Sequence, residues 1–125
     1  MTSRSFRQVP LILGLALAAA AFSGGRFHAR LVKAEPGVDS VVTVAPTRIQ
    51  LWFNEPVNPR LTSADLLTRD STPIATVTFA RMPDPLSVSA PLTATLTPGL
   101  YRVQWRTMSP DGHTIRGEYR FTFTP

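Results

Sequence analysis

The chain lacks cysteine, has only two histidines among its 125 residues and contains no segment with helical periodicity over three turns. Without cysteine there is no disulfide and no lipid attachment through a thiol, so a stable fold requires a packed core. No apolar run reaches the roughly 20 residues that a membrane-spanning helix requires. These absences leave a β-rich domain stabilised by its own core.

A cluster of basic residues is also absent, although the formal net charge is +5. Three of the thirteen Lys and Arg residues, Arg4, Arg7 and Arg26, precede His28, which leaves ten against eight Asp and Glu from that point onward. The remaining basic residues are spread singly along strand-like segments and form no phosphate-binding stripe. The sequence therefore argues against nucleic-acid binding.

Residues 1–27 have the composition of a secretory signal peptide. Two arginines precede an uncharged run of mostly Leu and Ala, from Pro10 to Phe22. Secretory signal peptides have this order, a basic region followed by a short apolar region. Small residues place the cleavage site between positions 23 and 27. An uncleaved anchor is the alternative, which the shortness of the run disfavours. We expect an exported, soluble domain over residues 28–125.

Short apolar segments separated by turn signals fill this domain, and twelve prolines punctuate the chain. Proline is excluded from the interior of central strands, so its spacing marks strand ends. This pattern predicts a single-domain, all-β antiparallel sandwich of some seven strands. The predicted strands are Arg30–Lys33, Val41–Val44, Arg48–Phe53, Arg60–Arg69, Ile74–Phe79, Leu92–Leu96 and the two within Gly99–Phe123. The predicted core residues are Ile49, Leu51, Phe53, Val77, Phe79, Val103, Trp105, Tyr119 and Phe121.

The loop Ser109–His113, between the last two strands, carries an Asp-x-His pair and has two interpretations. In the first, Pro110, Asp111 and Gly112 only form a turn, because proline presets φ, Asp bonds its own backbone and Gly adopts positive φ. The two-residue motif alone favours this interpretation. In the second, Asp111 and His113 belong to a metal site, because nitrogen and oxygen ligands suit Cu(II), Zn(II) or Ni(II).

Two further residues are candidate metal ligands. His28 is the only other histidine, and it reaches the Asp111 loop if the first strand lies beside the last hairpin. Glu55 follows the Arg48–Phe53 strand, where a solvated carboxylate at a strand end is the ordinary alternative.

Several of these segments together resemble the CopC family of exported copper-resistance proteins. The resemblance covers nearly the whole of the domain in the right order. It rests on His28–Val32 with Glu35-Pro36, Ile49–Glu55, Gly99–Arg106, Ser109–His113 and Gly117.

The resemblance implies a seven-stranded, immunoglobulin-like Greek-key sandwich that binds one Cu(II) per chain. The implied ligands are His28, Asp111 and His113, with Glu55 as a less certain fourth. In the family the first histidine binds through both its free α-amine and its ring. The resemblance also implies a periplasmic protein that carries or buffers copper, with a CopD-type copper-transporting membrane protein as partner. A monomer is the expectation for a closed sandwich of this size.

Two features depart from the family pattern. Gly25-Arg26-Phe27 is a poor cleavage context directly before His28; cleavage farther upstream leaves His28 without a free amine and weakens binding. Family members with a Cu(I) site have a methionine-rich loop in the middle of the domain, because soft thioether ligands select Cu(I). Here that region, Arg69–Leu86, contains a single methionine, Met82. We therefore expect no Cu(I) site.

Two other functions compete with copper carriage. One is a non-metal, immunoglobulin-like interaction module in which the Asp111 loop is only a turn. The other is an oxidative copper enzyme, which the sequence disfavours because it shows no second acid–base residue near the site beyond Glu55 and no aromatic surface for a substrate. No nucleophile triad, phosphate-binding loop or paired-carboxylate site is visible. The expectation is a binding protein that is not an enzyme.

Overall fold

The structure, a computed structural model, describes residues 28–125. The predicted signal peptide, residues 1–27, lies outside the described residues. Within residues 28–125, no helix is long and apolar enough to cross a membrane.

Nine β-strands and one short 3₁₀ helix make up the described chain. The strands are β1 (Leu31–Glu35), β2 (Val41–Val42), β3 (Arg48–Phe53), β4 (Ser63–Thr68), β5 (Pro73–Thr78), β6 (Ala80–Arg81), β7 (Ser87–Pro91), β8 (Gly99–Met108) and β9 (Thr114–Phe123), with the 3₁₀ helix Pro59–Leu61 before β4. They form a four-stranded sheet in the order β1-β3-β7-β6 and a five-stranded sheet in the order β2-β9-β8-β4-β5. The predicted all-β sandwich is confirmed; the seven longer strands are supplemented by the two-residue strands β2 and β6.

The β8–β9 hairpin is the longest pairing in the fold. Its register runs without a shift from Gly99 opposite Phe123 to Met108 opposite Thr114. Because side chains alternate between the two faces of a strand, this register directs one apolar set into the sandwich. The hairpin therefore fixes the position of the loop at its end, Ser109–His113, which we call the β8–β9 loop.

The core lies between the two sheets, and all nine predicted core residues are buried. Phe53 of β3 packs edge-on against Trp105 of β8, with ring centroids 5.1 Å apart. This contact joins the four-stranded sheet to the five-stranded sheet. Outside the core, Trp52 is half-buried, with the Nζ atom of Lys33 lying 4.6 Å from its ring centroid.

The predicted strand Leu92–Leu96 is wrong. The strand in this part of the chain is β7, which pairs with β3 over Arg48–Trp52. Its sequence, SVSAP, is poor in the β-branched and aromatic residues typical of strands. Leu92 and Leu96 are nevertheless buried. They belong to a loop that covers the core, and burial of its apolar residues gives this loop the composition of a strand.

The segment Arg60–Arg69, whose register the sequence left open, divides into two elements. Asn58 caps the 3₁₀ helix by accepting a hydrogen bond from the Arg60 N–H at 3.0 Å. The strand β4 follows, with Ala64 and Leu66 fully buried and a register shift directly after Leu66. The shift explains why no single alternation describes the segment.

Candidate metal centre

Three of the predicted ligands line one cavity. It has a volume of about 650 Å³ and lies between the first residues of the described chain and the β8–β9 loop. Its lining consists of His28, Ala29, Arg30, Ser109, Asp111, His113 and Ile115. Glu55, the fourth predicted ligand, is half-buried and is not among the lining residues.

The β8–β9 loop is a tight turn closed by backbone hydrogen bonds. The Gly112 N–H donates to the Ser109 carbonyl at 3.0 Å, and the Ser109 N–H donates to the His113 carbonyl at 2.8 Å. Gly112 has φ of 90°, a conformation that glycine adopts without steric penalty. The turn interpretation of this loop is therefore confirmed for the backbone, and it leaves the side chains of Asp111 and His113 available for another role.

Ser109 organises the polar side chains of the loop from a buried position. Its hydroxyl donates to Asp111 Oδ1 and accepts from the His113 N–H at 3.2 Å. The His113 N–H also lies 3.1 Å from Asp111 Oδ1. The Asp111 carboxylate and the His113 backbone are thus held against one serine.

Asp111 and His113 also contact each other through their side chains. The Nδ1 atom of His113 lies 2.7 Å from Oδ2 of Asp111, and the two side chains are 83% and 65% exposed, respectively. This contact engages Nδ1 of His113, so Nε2 is the ring nitrogen that remains for an ion. Both side chains are accessible to an ion from solvent.

Hydrogen bonding keeps Asp111 ionised. The Ser109 hydroxyl, followed by the side chain and N–H of His113, lowers the pKa of Asp111 from 3.8 to about 2. Hydrogen bonds to the charged form of a carboxyl group favour that form. The carboxylate beside the imidazole is therefore charged at neutral pH and stays charged well into the acidic range.

Replacing Ser109 by alanine is expected to raise the pKa of Asp111 toward its ordinary value, because the largest cause of the lowering is removed. A lowered pKa in the folded state stabilises that state above the ordinary pKa, and the contribution is lost as pH falls toward 2. The substitution should therefore weaken the dependence of the free energy of unfolding on pH in the acidic range. Titration of the Asp111 carboxyl carbon by NMR in metal-free protein measures the change. Ser109→Thr, which keeps the hydroxyl, should retain the lowered pKa of Asp111. An unchanged titration midpoint of Asp111 in Ser109→Ala would show that the Ser109 hydroxyl does not lower this pKa.

The segment that carries His28 is bound to the end of β3. The Arg30 N–H donates to Asn54 Oδ1 at 2.6 Å, and Asn54 Nδ2 donates to the His28 carbonyl at 3.1 Å. A third hydrogen bond runs from the Asn54 N–H to the Arg30 carbonyl at 3.1 Å. His28 thus reaches the cavity from a segment tied to the four-stranded sheet, whereas Asp111 and His113 lie in the loop between two strands of the five-stranded sheet.

The side chains around the cavity suit a transition metal such as Cu(II). Imidazole nitrogens and a carboxylate oxygen are the ligand types that this ion accepts in tetragonal geometry. Within residues 28–125, however, no group of three or more His, Cys, Asp and Glu side chains is already assembled around a common point. The Asp111–His113 pair is in contact, and His28 lines the same cavity without completing a preformed ligand set.

The sequence interpretation missed the roles of Ser109 and Asn54. A serine two residues before an aspartate is a signal for local hydrogen bonding of this kind, and it was available in the loop sequence. Asn54 had no comparable signal, because its partners lie 24 and 26 residues away in the chain. Contacts of that separation depend on the tertiary structure.

Comparison with known proteins places the chain among known sequences and folds. Residues 31–124 match the CopC domain family. The chain is 33% identical to Protein YobA of Escherichia coli (strain K12) over 122 residues, covering 97% of this chain and 96% of the relative. It is 34% identical to Copper resistance protein C of Escherichia coli over 120 residues, covering 90% of this chain and 89% of the relative.

Two solved structures are similar to this fold. The crystal structure of CopC from Methylosinus trichosporium OB3b superposes with a TM-score of 0.68 at 31% identity, covering 78% of this chain and 95% of that one. The structure of PcoC, described as a methionine-rich copper resistance protein from Escherichia coli, gives a TM-score of 0.67 at 35% identity, covering 78% and 99%.

Proposed function

The chain belongs to the CopC domain family, and we propose that it is an exported Cu(II)-binding protein that carries or buffers copper outside the cytoplasm. The relatives named for copper resistance support the choice of metal. The observation that carries the proposal is the shared cavity, which brings His28 together with the Asp111–His113 pair from distant parts of the sequence.

We assign the ligand roles by chemistry and position. His113 supplies an imidazole nitrogen, and Asp111 supplies a carboxylate that is ionised at neutral pH. His28 supplies a second imidazole from the other wall of the cavity. Glu55 adjoins Asn54 but does not line the cavity, so we propose it as a peripheral carboxylate and not as one of the three ligands.

Processing of the precursor sets how strongly His28 binds. We propose that residues 1–27 are removed as a signal peptide and that residues 28–125 act in the periplasm as a monomer. Cleavage directly before His28 adds an α-amine to the ligand set, whereas cleavage upstream leaves only the ring. Thioether ligands select Cu(I), and the middle region Arg69–Leu86 contains a single methionine, Met82. We therefore propose one Cu(II) site and no Cu(I) site.

The cellular role is to sequester Cu(II) or to deliver it to a membrane protein of the CopD type. Deletion of the gene is expected to change growth across a range of copper concentrations or to change cell copper. Complementation with the wild-type gene should restore the phenotype, and complementation with a His113→Ala gene should not. Unchanged copper tolerance and unchanged cell copper in the deletion strain would contradict the proposed role.

One observation favours a second function, a non-metal interaction module. Asp111 Oδ1 accepts a hydrogen bond from the His113 N–H at 3.1 Å, the bond to its own backbone two residues on that an aspartate makes in an ordinary turn. The substitutions Asp111→Ala and His113→Ala separate the two functions. A change in copper binding without a change in stability supports the carrier, and unchanged copper binding supports the interaction module.

A further inference from the structure

We propose that Asn54 is a positioning residue that fixes the segment His28–Arg30 and thereby presents His28 to the cavity. This inference rests on the proposed function and adds to it a residue that is itself no ligand. The hydrogen bonds of Asn54 to this segment all go to backbone N–H and carbonyl groups of His28 and Arg30. Its effect on an ion in the cavity therefore passes through His28.

The side-chain amide of Asn54 uses both of its ends. Its oxygen accepts from the Arg30 N–H, and its nitrogen donates to the His28 carbonyl. A carboxamide supplies one acceptor and two donor hydrogens in a fixed plane, so a single side chain satisfies both groups. The Asn54 N–H adds a bond to the Arg30 carbonyl, and the three bonds together hold a segment of three residues.

The segment needs this attachment because strand pairing does not reach it. The ladder between β1 and β3 ends at Leu31 opposite Phe53 and has a register shift between Leu31 and Lys33. His28–Arg30 lies beyond that end, and Asn54 is the residue directly after Phe53. Burial of Ala29 provides a second anchor. The asparagine thus extends the attachment of the segment by hydrogen bonds where the ladder stops.

Fixing the segment in advance favours metal binding. A ligand on a mobile chain must lose conformational freedom when it binds, and that loss reduces affinity. With Asn54 in place, the backbone on both sides of Ala29 is already held. The residue therefore acts on copper affinity in the manner of outer-shell groups, whose loss typically weakens metal binding by about 10- to 100-fold.

The test compares Asn54→Ala with a matched control, Asn58→Ala, in the exported and naturally processed chain. Asn58 is also an exposed asparagine that accepts from a backbone N–H, that of Arg60 at 3.0 Å, but it is not among the residues lining the cavity. We expect Asn54→Ala to raise the Kd for Cu(II) by about tenfold, and Asn58→Ala to leave it unchanged. Asn54→Asp keeps the acceptor for the Arg30 N–H and loses the donor for the His28 carbonyl. Its Kd for Cu(II) should therefore lie between those of the wild-type protein and Asn54→Ala.

A double-mutant cycle with His28→Ala tests whether Asn54 acts through His28. In the His28→Ala background, Asn54→Ala should cause no further loss of affinity, since coupled residues are not additive. An equal loss in both backgrounds would overturn the proposal. So would an unchanged Kd in Asn54→Ala alone, or an equal loss in the Asn58→Ala control.

Hydrogen exchange of the Arg30 amide provides a readout that needs no copper. We expect this amide to be protected in metal-free wild-type protein and to exchange faster in Asn54→Ala. Equal exchange in the two proteins would overturn the proposed attachment. If the wild-type protein binds no Cu(II) while the exchange difference is observed, the copper function fails and the attachment of the segment by Asn54 stands.

Discussion

Replacing His113 by alanine is expected to weaken Cu(II) binding by about 100-fold or more, since loss of an outer-shell partner alone already costs 10- to 100-fold. In the proposed site His113 would provide an imidazole nitrogen, and its neighbour Asp111 could not replace it, because a carboxylate offers only oxygen. The His113 side chain is 83% exposed, so stability should change by less than about 0.5 kcal/mol. Competition with a chelator of known affinity measures the first effect, and urea denaturation measures the second.

Asp111→Ala has a matched control in Asp84→Ala. Asp84 is an aspartate in another turn, where it accepts from the Leu86 N–H at 2.9 Å, and it is not among the residues lining the cavity. Both substitutions remove a local hydrogen-bond acceptor, but only Asp111→Ala should weaken Cu(II) binding. Equal affinities in the His113→Ala, Asp111→Ala and wild-type proteins would contradict the assigned ligands.

Gly117→Ala is expected to destabilise the domain by about 3 kcal/mol, the upper part of the range for overpacked cores. A Cβ atom at this position would lie 2.3 Å from Cζ2 and 2.4 Å from Cε2 of Trp105. The indole cannot move away freely, because it is buried and packs against Phe53. For a domain of about 100 residues, the melting temperature should fall by about 10–20 °C. Thermal and urea denaturation measure the loss.

Gly37→Ala is the matched control for this substitution. A Cβ atom at Gly37 would lie 3.3 Å from Cβ and 3.4 Å from Oγ of Ser40, and a shift of a few tenths of an ångström relieves these contacts. We expect a change below about 1 kcal/mol for this control. A loss in Gly117→Ala no larger than that in Gly37→Ala would show that the indole does not occupy the space opposite Gly117.

Alternation of apolar and polar residues was sufficient to predict the strands that direct one apolar face into the core. The β8–β9 hairpin and strand β3 have clear periodicity, and their inward residues form the observed core. Strand β7 was missed because serine and alanine carry little β-preference. Its position is set by pairing with β3, a tertiary contact that is invisible in the local sequence.

The candidate site likewise consists of a part that the local sequence predicts and a part that depends on tertiary contacts. The spacing of Asp111 and His113 within one loop was enough to group them, since both lie on the same turn. His28 was grouped with them as the only other histidine and through the family resemblance, because no local rule connects residues 83 positions apart. The attachment of its segment to Asn54 came from the structure, where the end of the β1–β3 ladder brings the two together.

Titration of the exported, naturally processed protein with Cu(II), followed by electron paramagnetic resonance, tests the central claim most directly. We predict one tight equivalent with a tetragonal spectrum from nitrogen and oxygen ligands, and loss of that spectrum in His113→Ala. Weak binding or none in the wild-type protein, or an identical spectrum in His113→Ala, would contradict the assignment of the cavity as a copper site.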